Sequence, residues 1–479
     1  MARHRTQGRV RHQIRSLAEE LSGGDSIQVR SLLPPQRVQQ AVQAEGVQFR
    51  DCLFTPLVTL WTFLMQVLSP DGSCREAVGK LLAWAAGQDP SHEGLDAEKF
   101  TPQTGPYCKA RQRLPEKLVQ RLATESGQEL PQRYPASRLL GGRPVKMVDG
   151  TTASMPDTPE NQKEYPQPVP QKPGLGFPMA RLVAILSLNC AAVLGLAIGP
   201  YAGKQSGELA LFRTLMDDLQ AGDVVLADRY YASYWMIAAL WRRGVDSLFR
   251  QHQCRPIDFR AGRRLGKDDH ILTVPRPTQR PAWMDRQTFE QMPANMELRE
   301  LRLQVAQRGF RVRTLVLVTT LLDAELYSRE ELARAFRCRW YAELDLRAIK
   351  QTMNLSVLRC KTPAMVRKEI WMHLLAYNLV RATMAVAAKQ AGMEPREVSF
   401  AGAVQTINAF VPVLELADAR DVGRLWRILL RAIARHRVGN RPDRYEPRAV
   451  KRRAKPIAYL TVPREQARRR LATTVAAKD

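Results

Sequence analysis

The order of strand and helix signals across residues 143–252 constrains the fold of this chain more than any other feature. The segment V-K-M-V-D predicts a short strand that ends at Asp149, and D-V-V-L-A-D predicts a buried strand that ends at Asp228. Two further apolar strands and an amphipathic helix lie between them, and another helix and strand follow. Apolar strands that alternate with helices form a layer of helices on a mixed sheet. The segment therefore predicts an α/β fold in which both aspartates lie where a strand meets a loop.

The most apolar segment, residues 182–199, has the length of a membrane-spanning helix. Its 18 residues are just enough to cross a bilayer. However, Ser187, Asn189 and Cys190 interrupt the middle of the segment. We therefore expect two buried strands joined by a tight turn around Asn189, and no membrane partner.

The segments on either side of this pattern have a different character. Residues 27–130 are mostly amphipathic at helical spacing and predict a helical N-terminal domain at 1–135. Residues 255–320 contain short alternating runs between turn residues, which predict a β-rich insertion. The α/β domain that carries this insertion would span 140–395. Residues 396–479 would form a helical C-terminal region with a basic tail.

The charge of the chain points to a polyanionic partner. The sequence has 73 Lys and Arg residues against 47 acidic ones, which gives a net charge of +26. Residues 424–470 alone contain 16 basic residues and three acidic ones. Nucleic acid is the first candidate partner, and an anionic membrane surface is the second. Seven cysteines without zinc-ligand spacing, and an N-terminus unlike a signal peptide, favour a cytoplasmic protein.

The stretch F-R-C-R-W-Y-A-E-L-D-L-R-A-I-K, residues 336–350, has no Gly or Pro and predicts a helix. At helical spacing, one face of this helix carries Phe336, Arg339, Glu343, Arg347 and Lys350. A carboxylate flanked by cations suits a site that handles a metal ion and a phosphate together. The same pattern also suits a solvated face with ion pairs between neighbouring turns.

Three acidic residues are candidates for a single site: Asp149, Asp228 and Glu343. In open α/β sheets, ligands bind at the carboxyl ends of strands. Mg²⁺ prefers oxygen ligands, and two such ions can hold the attacking and leaving oxygens of a displacement at phosphorus. Three converging carboxylates would suit this chemistry, although an Asp at a strand end is often only a turn former.

The last of these carboxylates lies in a pattern that resembles a known family. Arg339, Glu343 and Lys350 have the spacing Arg-x3-Glu-x6-Lys. This is similar to the Tyr-Arg-Glu-Lys signature of the insertion sequence 4 family, a group of bacterial insertion-sequence transposases with an Asp-Asp-Glu triad. Trp340, directly after the Arg, also resembles the family. Phe336 stands where the family has Tyr, so the aromatic ring is kept and the hydroxyl is absent.

Two further motifs extend the resemblance over about residues 143–392. V-D-G-T-T at Asp149 and V-L-A-D-R-Y-Y at Asp228 are similar to the first and second aspartate motifs of the family. Glu343 follows Asp228 by 115 positions. This wide spacing is similar to that of family members with a β-rich insertion between the second Asp and the Glu. The resemblance implies a ribonuclease H-like mixed sheet. It also implies that Asp149, Asp228 and Glu343 form the catalytic triad and bind two Mg²⁺ ions, with Mn²⁺ as an alternative.

The resemblance also implies a function and partners. The chain would be a transposase at the bacterial nucleoid, which cuts the inverted-repeat ends of its own element and transfers the strand into target DNA. It would act on double-stranded DNA as a homodimer. Arg339 and Lys350 would hold DNA phosphate near the scissile bond, and Phe336 would lie at a DNA contact of the family. The N-terminal domain and the basic tail are candidates for end recognition and non-specific binding.

Two alternative functions fit the same residues. A transposase-derived protein could bind DNA without cutting it and repress its own element. A structure-selective nuclease could use the same fold and the same carboxylates.

Overall fold

The computed structural model describes residues 35–46, 53–86, 101–134, 139–203, 206–304, 314–417, 419–439 and 458–476. The described residues before 135 are helical and form α1 (Pro35–Ala44), α2 (Pro56–Leu68), α3 (Cys74–Ala86), α4 (Gly105–Arg113) and α5 (Glu116–Gln132). The Arg-rich residues 1–15 and residues 440–457 of the basic tail lie outside the described residues.

The described residues contain one mixed sheet of nine strands. Its order is β3-β2-β1-β4-β5-β9-β8-β7-β6. β1, β4 and β5 are parallel neighbours, and the other neighbours are antiparallel. The mixed α/β architecture expected from the sequence is thereby confirmed. The strands are β1 (Val145–Ser154), β2 (Met179–Ser187), β3 (Val193–Pro200), β4 (Val224–Ala227), β5 (Asp246–Arg250), β6 (Arg263–Gly266), β7 (Asp269–Pro275), β8 (Asn295–Gln304) and β9 (Thr314–Thr319).

Helices lie on both faces of this sheet, and ten α-helices are described after residue 135. They are α6 (Pro159–Glu164), α7 (Glu208–Arg213), α8 (Tyr234–Trp241), α9 (Arg286–Glu290), α10 (Arg329–Arg337), α11 (Trp340–Arg347), α12 (Pro363–Gln390), α13 (Phe400–Leu416), α14 (Ala419–Arg435) and α15 (Arg464–Ala476). Because side chains alternate along a strand, the sheet divides its apolar residues between two cores. Met147 and Leu226 share one core with α11 and α12. Val148 and Val225 share the other core with α7 and α8.

The apolar segment at 182–199 forms the predicted pair of strands. β2 and β3 are antiparallel neighbours, from Ala180 opposite Pro200 to Leu186 opposite Val193. In the turn between them, Asn189 Oδ1 accepts a hydrogen bond from the backbone N–H of Cys190 at 2.9 Å. Within the described part of the chain, no helix combines the length and the apolar character that crossing a membrane requires.

β1 is longer than the sequence predicted. The strand does not end at Asp149, and G-T-T is not a turn, because β2 remains paired with β1 as far as Ser154 opposite Met179. On its other side, β1 pairs with β4 only from Val145 to Met147. The ladder to β2 keeps the segment extended, so Asp149 lies inside a strand.

A buried asparagine ties the N-terminal helices to the sheet. Asn378 of α12 is fully buried. Its Oδ1 accepts from the N–H of Val193 at 2.9 Å, and its Nδ2 donates to the carbonyls of Val193 at 3.0 Å and Ala123 at 3.1 Å. Ala123 belongs to α5, so one side chain joins three elements. Gly127 leaves room for this contact, since a methyl group there would lie 1.9 Å from the Val193 carbonyl oxygen.

Replacing Asn378 with Leu is expected to lower the free energy of unfolding by about 3 kcal/mol, because backbone groups of β3 and α5 would lose buried partners. Urea denaturation of wild type and variant would measure the loss. Asn295→Leu, at the exposed start of β8, is the matched control. Similar losses for the two variants would contradict the proposed role of Asn378.

Candidate active site

Asp149 and Asp228 each lie two residues beyond the last paired residues of two neighbouring parallel strands. β1 and β4 run parallel, with Met147 opposite Leu226. Asp149 follows Met147 by two residues, and Asp228 follows Leu226 by two residues. Neighbouring strands are about 4.8 Å apart, and alternation turns both aspartates to the face of Met147 and Leu226. That face belongs to the core that includes α11. The helix that carries Glu343 therefore covers the face on which both aspartates lie.

Asp228 directly follows the last residue of β4, as the sequence predicted. Its Oδ1 accepts a hydrogen bond from the backbone N–H of Arg229 at 2.7 Å, which begins a short 3₁₀ turn at Arg229–Tyr231. A carboxylate has about four lone-pair directions, so this bond leaves others for a ligand.

The stretch from 336 to 350 is helical but is not one continuous helix. α10 ends at Arg337, α11 begins at Trp340, and Ala348–Thr352 form a π-helical turn. The predicted single continuous helix is therefore wrong, although Arg339 and Glu343 share a face, as their ion pair shows. Phe336 is only 7% exposed and packs in the main core, so its ring lies away from the surface that DNA could reach.

Glu343 lies in the first turn of α11, which packs against β1. Arg339, directly before this helix, donates from Nη2 to Glu343 Oε1 at 2.9 Å. The Arg339 side chain is 16% exposed and that of Glu343 is 34% exposed, so water screens this ion pair only partly. The cation predicted to hold DNA phosphate thus lies beside a predicted metal ligand.

The charges of α11 act directly on Asp149. Burial raises the pKa of Asp149 from 3.8 to about 6. The hydrogen bond from Gly150 N–H, and the charge of Arg339, lower this pKa, whereas the charges of Glu343 and Glu208 raise it. Asp149 and Glu343 are therefore close enough to repel one another. The sequence did not predict Glu208 at this site, because a Glu in the first turn of a helix is common and does not by itself indicate a functional site.

Asp149→Asn is expected to stabilise the metal-free protein at neutral pH. The folded-state pKa of Asp149, about 6, lies above the usual value of 3.8, so folding favours the neutral carboxyl. The stability from Asp149 is then present below about pH 4 and is lost as the pH rises through about 6. Asn carries no charge at any pH. The melting temperature of Asp149→Asn should therefore exceed that of wild type by an amount that grows between about pH 4 and about pH 6. Melting curves at several pH values without divalent cations would show this, and a gain independent of pH would contradict it.

Lys350 lies half-buried in the π-helical turn. Burial lowers the pKa of its ammonium group. Among the described residues, no carboxylate forms a salt bridge with Lys350. Asp345, on the preceding turn, lies on the buried side of α11 and pairs with Arg381. The ammonium group of Lys350 thus has no acidic partner among the described residues.

Asp345 anchors the helix that carries Glu343. Its Oδ1 accepts from Arg381 at 2.7 Å, and its Oδ2 accepts from Arg396 at 3.0 Å. Arg381 also donates to the Tyr377 hydroxyl at 2.8 Å, and Arg396 to the Ser187 carbonyl at 3.0 Å. α11 is thereby fixed to α12 and to the end of β2. The sequence contained one signal for this anchor: Asp345 lies on the apolar side of its helix, where a charge needs a buried partner.

The donor chemistry of the site fits Mg²⁺. Across the described ranges, no three His, Cys, Asp or Glu side chains converge closely enough to hold a metal ion. The structure brings Asp149 and Glu343 together and sets Asp228 level with Asp149, but it does not assemble the three into a finished metal site. Carboxylate oxygens are nevertheless the ligands that Mg²⁺ prefers. Burial is the main cause of the raised pKa of Asp149, and the smaller contribution from the charges of Glu343 and Glu208 is of the kind that a divalent cation compensates.

Comparison with known proteins identifies the family. A family model described as Transposase DDE domain matches residues 140–379, about half of the chain. The transposase InsG for insertion sequence element IS4, from Escherichia coli (strain K12), is 29% identical over 366 residues, which cover 74% of this chain and 78% of that protein. The transposase for insertion sequence element IS421, from Escherichia coli, is 31% identical over 85 residues, covering 17% of this chain and 23% of that protein.

A solved piggyBac transposase synaptic complex with hairpin DNA is similar over 87% of this chain and 84% of that chain. Its TM-score is 0.40 and its identity is 9%, which is too low to support an argument about this fold. The family match, in contrast, includes all three candidate carboxylates. The predicted resemblance to insertion-sequence transposases related to IS4 is confirmed. The chain belongs to the family of transposases with a DDE domain.

Proposed function

We propose that this chain cuts DNA at the inverted-repeat ends of its own insertion sequence in the presence of Mg²⁺ and joins the released strand to target DNA. The observation that supports this most strongly is the packing of α11, which carries Glu343, against β1, which carries Asp149. Asp228 lies level with Asp149 on the neighbouring parallel strand. The family match makes this acidic group the natural candidate for the catalytic triad.

We also propose that the sheet is ribonuclease H-like. The supporting feature is the order β3-β2-β1-β4-β5, in which three antiparallel strands are followed by two parallel ones. β6, β7 and β8 extend this sheet beyond β9. They lie in the range predicted as a β-rich insertion, between Asp228 and the helix of Glu343.

In this proposal, Asp149, Asp228 and Glu343 would hold two Mg²⁺ ions, or Mn²⁺ in their place. When bound, these ions supply Lewis-acid stabilisation of the charge that develops on the phosphate oxygens. Water attacks phosphorus at the element end, and the bond to the 3′ oxygen breaks, which leaves a 3′ hydroxyl. That hydroxyl then attacks a phosphodiester of the target, and a new P–O bond forms as the target bond breaks. The protein contributes mainly positioning and charge.

The cations near Glu343 suit contacts with DNA phosphate. The Arg339 guanidinium has five N–H donors, so it can bind phosphate while it keeps its bond to Glu343. Lys350 would supply a second charge. The net charge of +26 supports double-stranded DNA as the partner, with the N-terminal helices and the basic tail as additional contacts. We propose a homodimer in the DNA complex, since two element ends must be joined.

Strand cleavage would test the proposal. The substrate is a DNA fragment that carries one inverted-repeat end of the element with its flanking DNA. Wild type and Asp228→Ala are compared in Mg²⁺ and in Ca²⁺. We expect nicking at the element boundary by wild type in Mg²⁺ only, and no nicking by Asp228→Ala.

The other outcomes correspond to the two alternative functions. Specific binding of the end by wild type without a cut would favour a DNA-binding relic. Cuts that follow DNA structure and ignore the element boundary would favour a nuclease. Either result would overturn the proposed function, provided that gel shifts show equal binding of the end by wild type and Asp228→Ala.

A further inference from the structure

A second helix reaches β1 from the face opposite to α11. α7 packs against β2 and β3, and Glu208 is its first residue. A methyl group added to Gly150 would lie 2.6 Å from the carboxyl carbon of Glu208 and 2.7 Å from its Oε1. The carboxylate therefore lies directly against Gly150, the residue after Asp149. Only the absence of a side chain at Gly150 permits this approach.

Glu208 and Glu343 reach the same part of β1 from opposite faces because β4 ends early. β4 stops at Ala227, whereas β1 continues to Ser154. Beyond Met147, the edge of β1 that faces β4 is no longer part of the β1–β4 ladder. The charges of both glutamates act on Asp149 there. Asp149 therefore lies in a part of β1 that is paired with β2 and not with β4.

A buried hydroxyl without a partner is a separate observation near α7. Tyr231 is 2% exposed, and its hydroxyl has no hydrogen-bond partner among the described residues. Burial raises the pKa of Tyr231, and the charges of Glu208 and then Asp149 raise it further. The charges of both carboxylates therefore act on this hydroxyl. Buried hydroxyl groups normally have a partner, so this one indicates a polar ligand that completes the site.

The local charge points to the kind of ligand. The charges of Glu208 and Glu343 both act on the half-buried Asp149, and Arg339 pairs with Glu343. No described residue forms a salt bridge with Glu208. Like charges at short range in a partly buried site are unfavourable unless a cation compensates them. A divalent cation bound by carboxylate oxygens would do so.

We infer that Glu208 is a further carboxylate of the active site, which strengthens its binding of a divalent cation and which Gly150 admits to the site. This inference rests on the proposed function, since it concerns the cation of the same reaction. It adds a residue of α7 to the three carboxylates of the family motif.

Mn²⁺ binding and Mg²⁺-dependent cleavage would test the inference in the full chain with its end DNA. Electron paramagnetic resonance of free Mn²⁺ gives the dissociation constant, and a Mg²⁺ titration of cleavage gives the half-saturating concentration. Glu208→Gln is expected to raise both about tenfold, as loss of a group that supports metal binding typically does. Glu208→Asp keeps the charge and should restore part of the affinity. Glu160→Gln, exposed in the first turn of α6, is the control.

A double-mutant cycle separates this role from packing. Gly150→Ala should weaken Mn²⁺ binding because its methyl group displaces the Glu208 carboxylate. In a protein that already carries Glu208→Ala, Gly150→Ala should not weaken Mn²⁺ binding any further. Unchanged Mn²⁺ binding by Glu208→Gln, or additive losses in the cycle, would overturn the inference. A wild type that binds Mn²⁺ with help from Glu208 but cuts no DNA would overturn only the proposed function.

Discussion

Replacing Glu343 with Gln is expected to lower strand cleavage at the element end by about a thousandfold, which corresponds to about 4 kcal/mol of transition-state stabilisation. Gln keeps the size of the side chain and removes the charge that acts on Asp149 and pairs with Arg339. DNA binding should change little, because the substitution removes a negative charge and leaves Arg339 in place. Single-turnover cleavage in Mg²⁺ and gel shifts on the same DNA would measure the two quantities.

Glu330→Gln is the matched control for this experiment. Glu330 is exposed in the first turn of α10, on the same helical stretch and away from β1. It should retain the wild-type cleavage rate. A Glu343→Gln variant that cuts within a factor of about ten of wild type would contradict a catalytic role for this carboxylate.

Replacing Asp345 with Ala is expected to lower the free energy of unfolding by about 3–5 kcal/mol, the cost of leaving a buried charge without its partner. The side chain of Arg381 is 7% exposed and that of Asp345 is 3% exposed, so water cannot compensate the guanidinium. Arg396 would lose its carboxylate as well. Urea denaturation would measure the loss. Since Asp345 follows Glu343 by two residues, cleavage should also fall at temperatures where the variant stays folded.

Asp421→Ala separates a buried ion pair from an exposed one. Asp421 pairs with Arg424 at 3.2 Å, and both side chains are largely exposed. Its removal should cost less than about 1 kcal/mol, since exposed pairs contribute little. Equal losses for Asp345→Ala and Asp421→Ala would show that the anchor of α11 is not the buried carboxylate.

The parts of the fold that local patterns control were predictable. Asn189 interrupts a long apolar run, and the run folds into β2 and β3 with the turn at that position. Asp228 follows the end of a short buried strand, as its flanking residues indicated. In both places the hydrophobic pattern and the turn residue agree, so neighbouring elements only reinforce a local preference.

The parts that depend on distant contacts were not predictable. The strand past Asp149 is held by its ladder to β2, although V-D-G-T-T looks like a strand end followed by a turn. The break between α10 and α11 contains no Gly or Pro, so the sequence does not predict it. The approach of Glu208 to Gly150 joins residues 58 positions apart, and no spacing rule in one sequence connects them.

We propose that Asp149, Asp228 and Glu343 form one centre for phosphoryl transfer on DNA. The most direct test is strand joining with a pre-cut element end, because it bypasses cleavage and isolates the transfer step. Wild type and Asp149→Asn are each incubated with this end, a target plasmid and Mg²⁺. We expect joined products from wild type and none from Asp149→Asn, with equal binding of the end by both. Equal joining by the two proteins, or binding without joining by wild type, would contradict it.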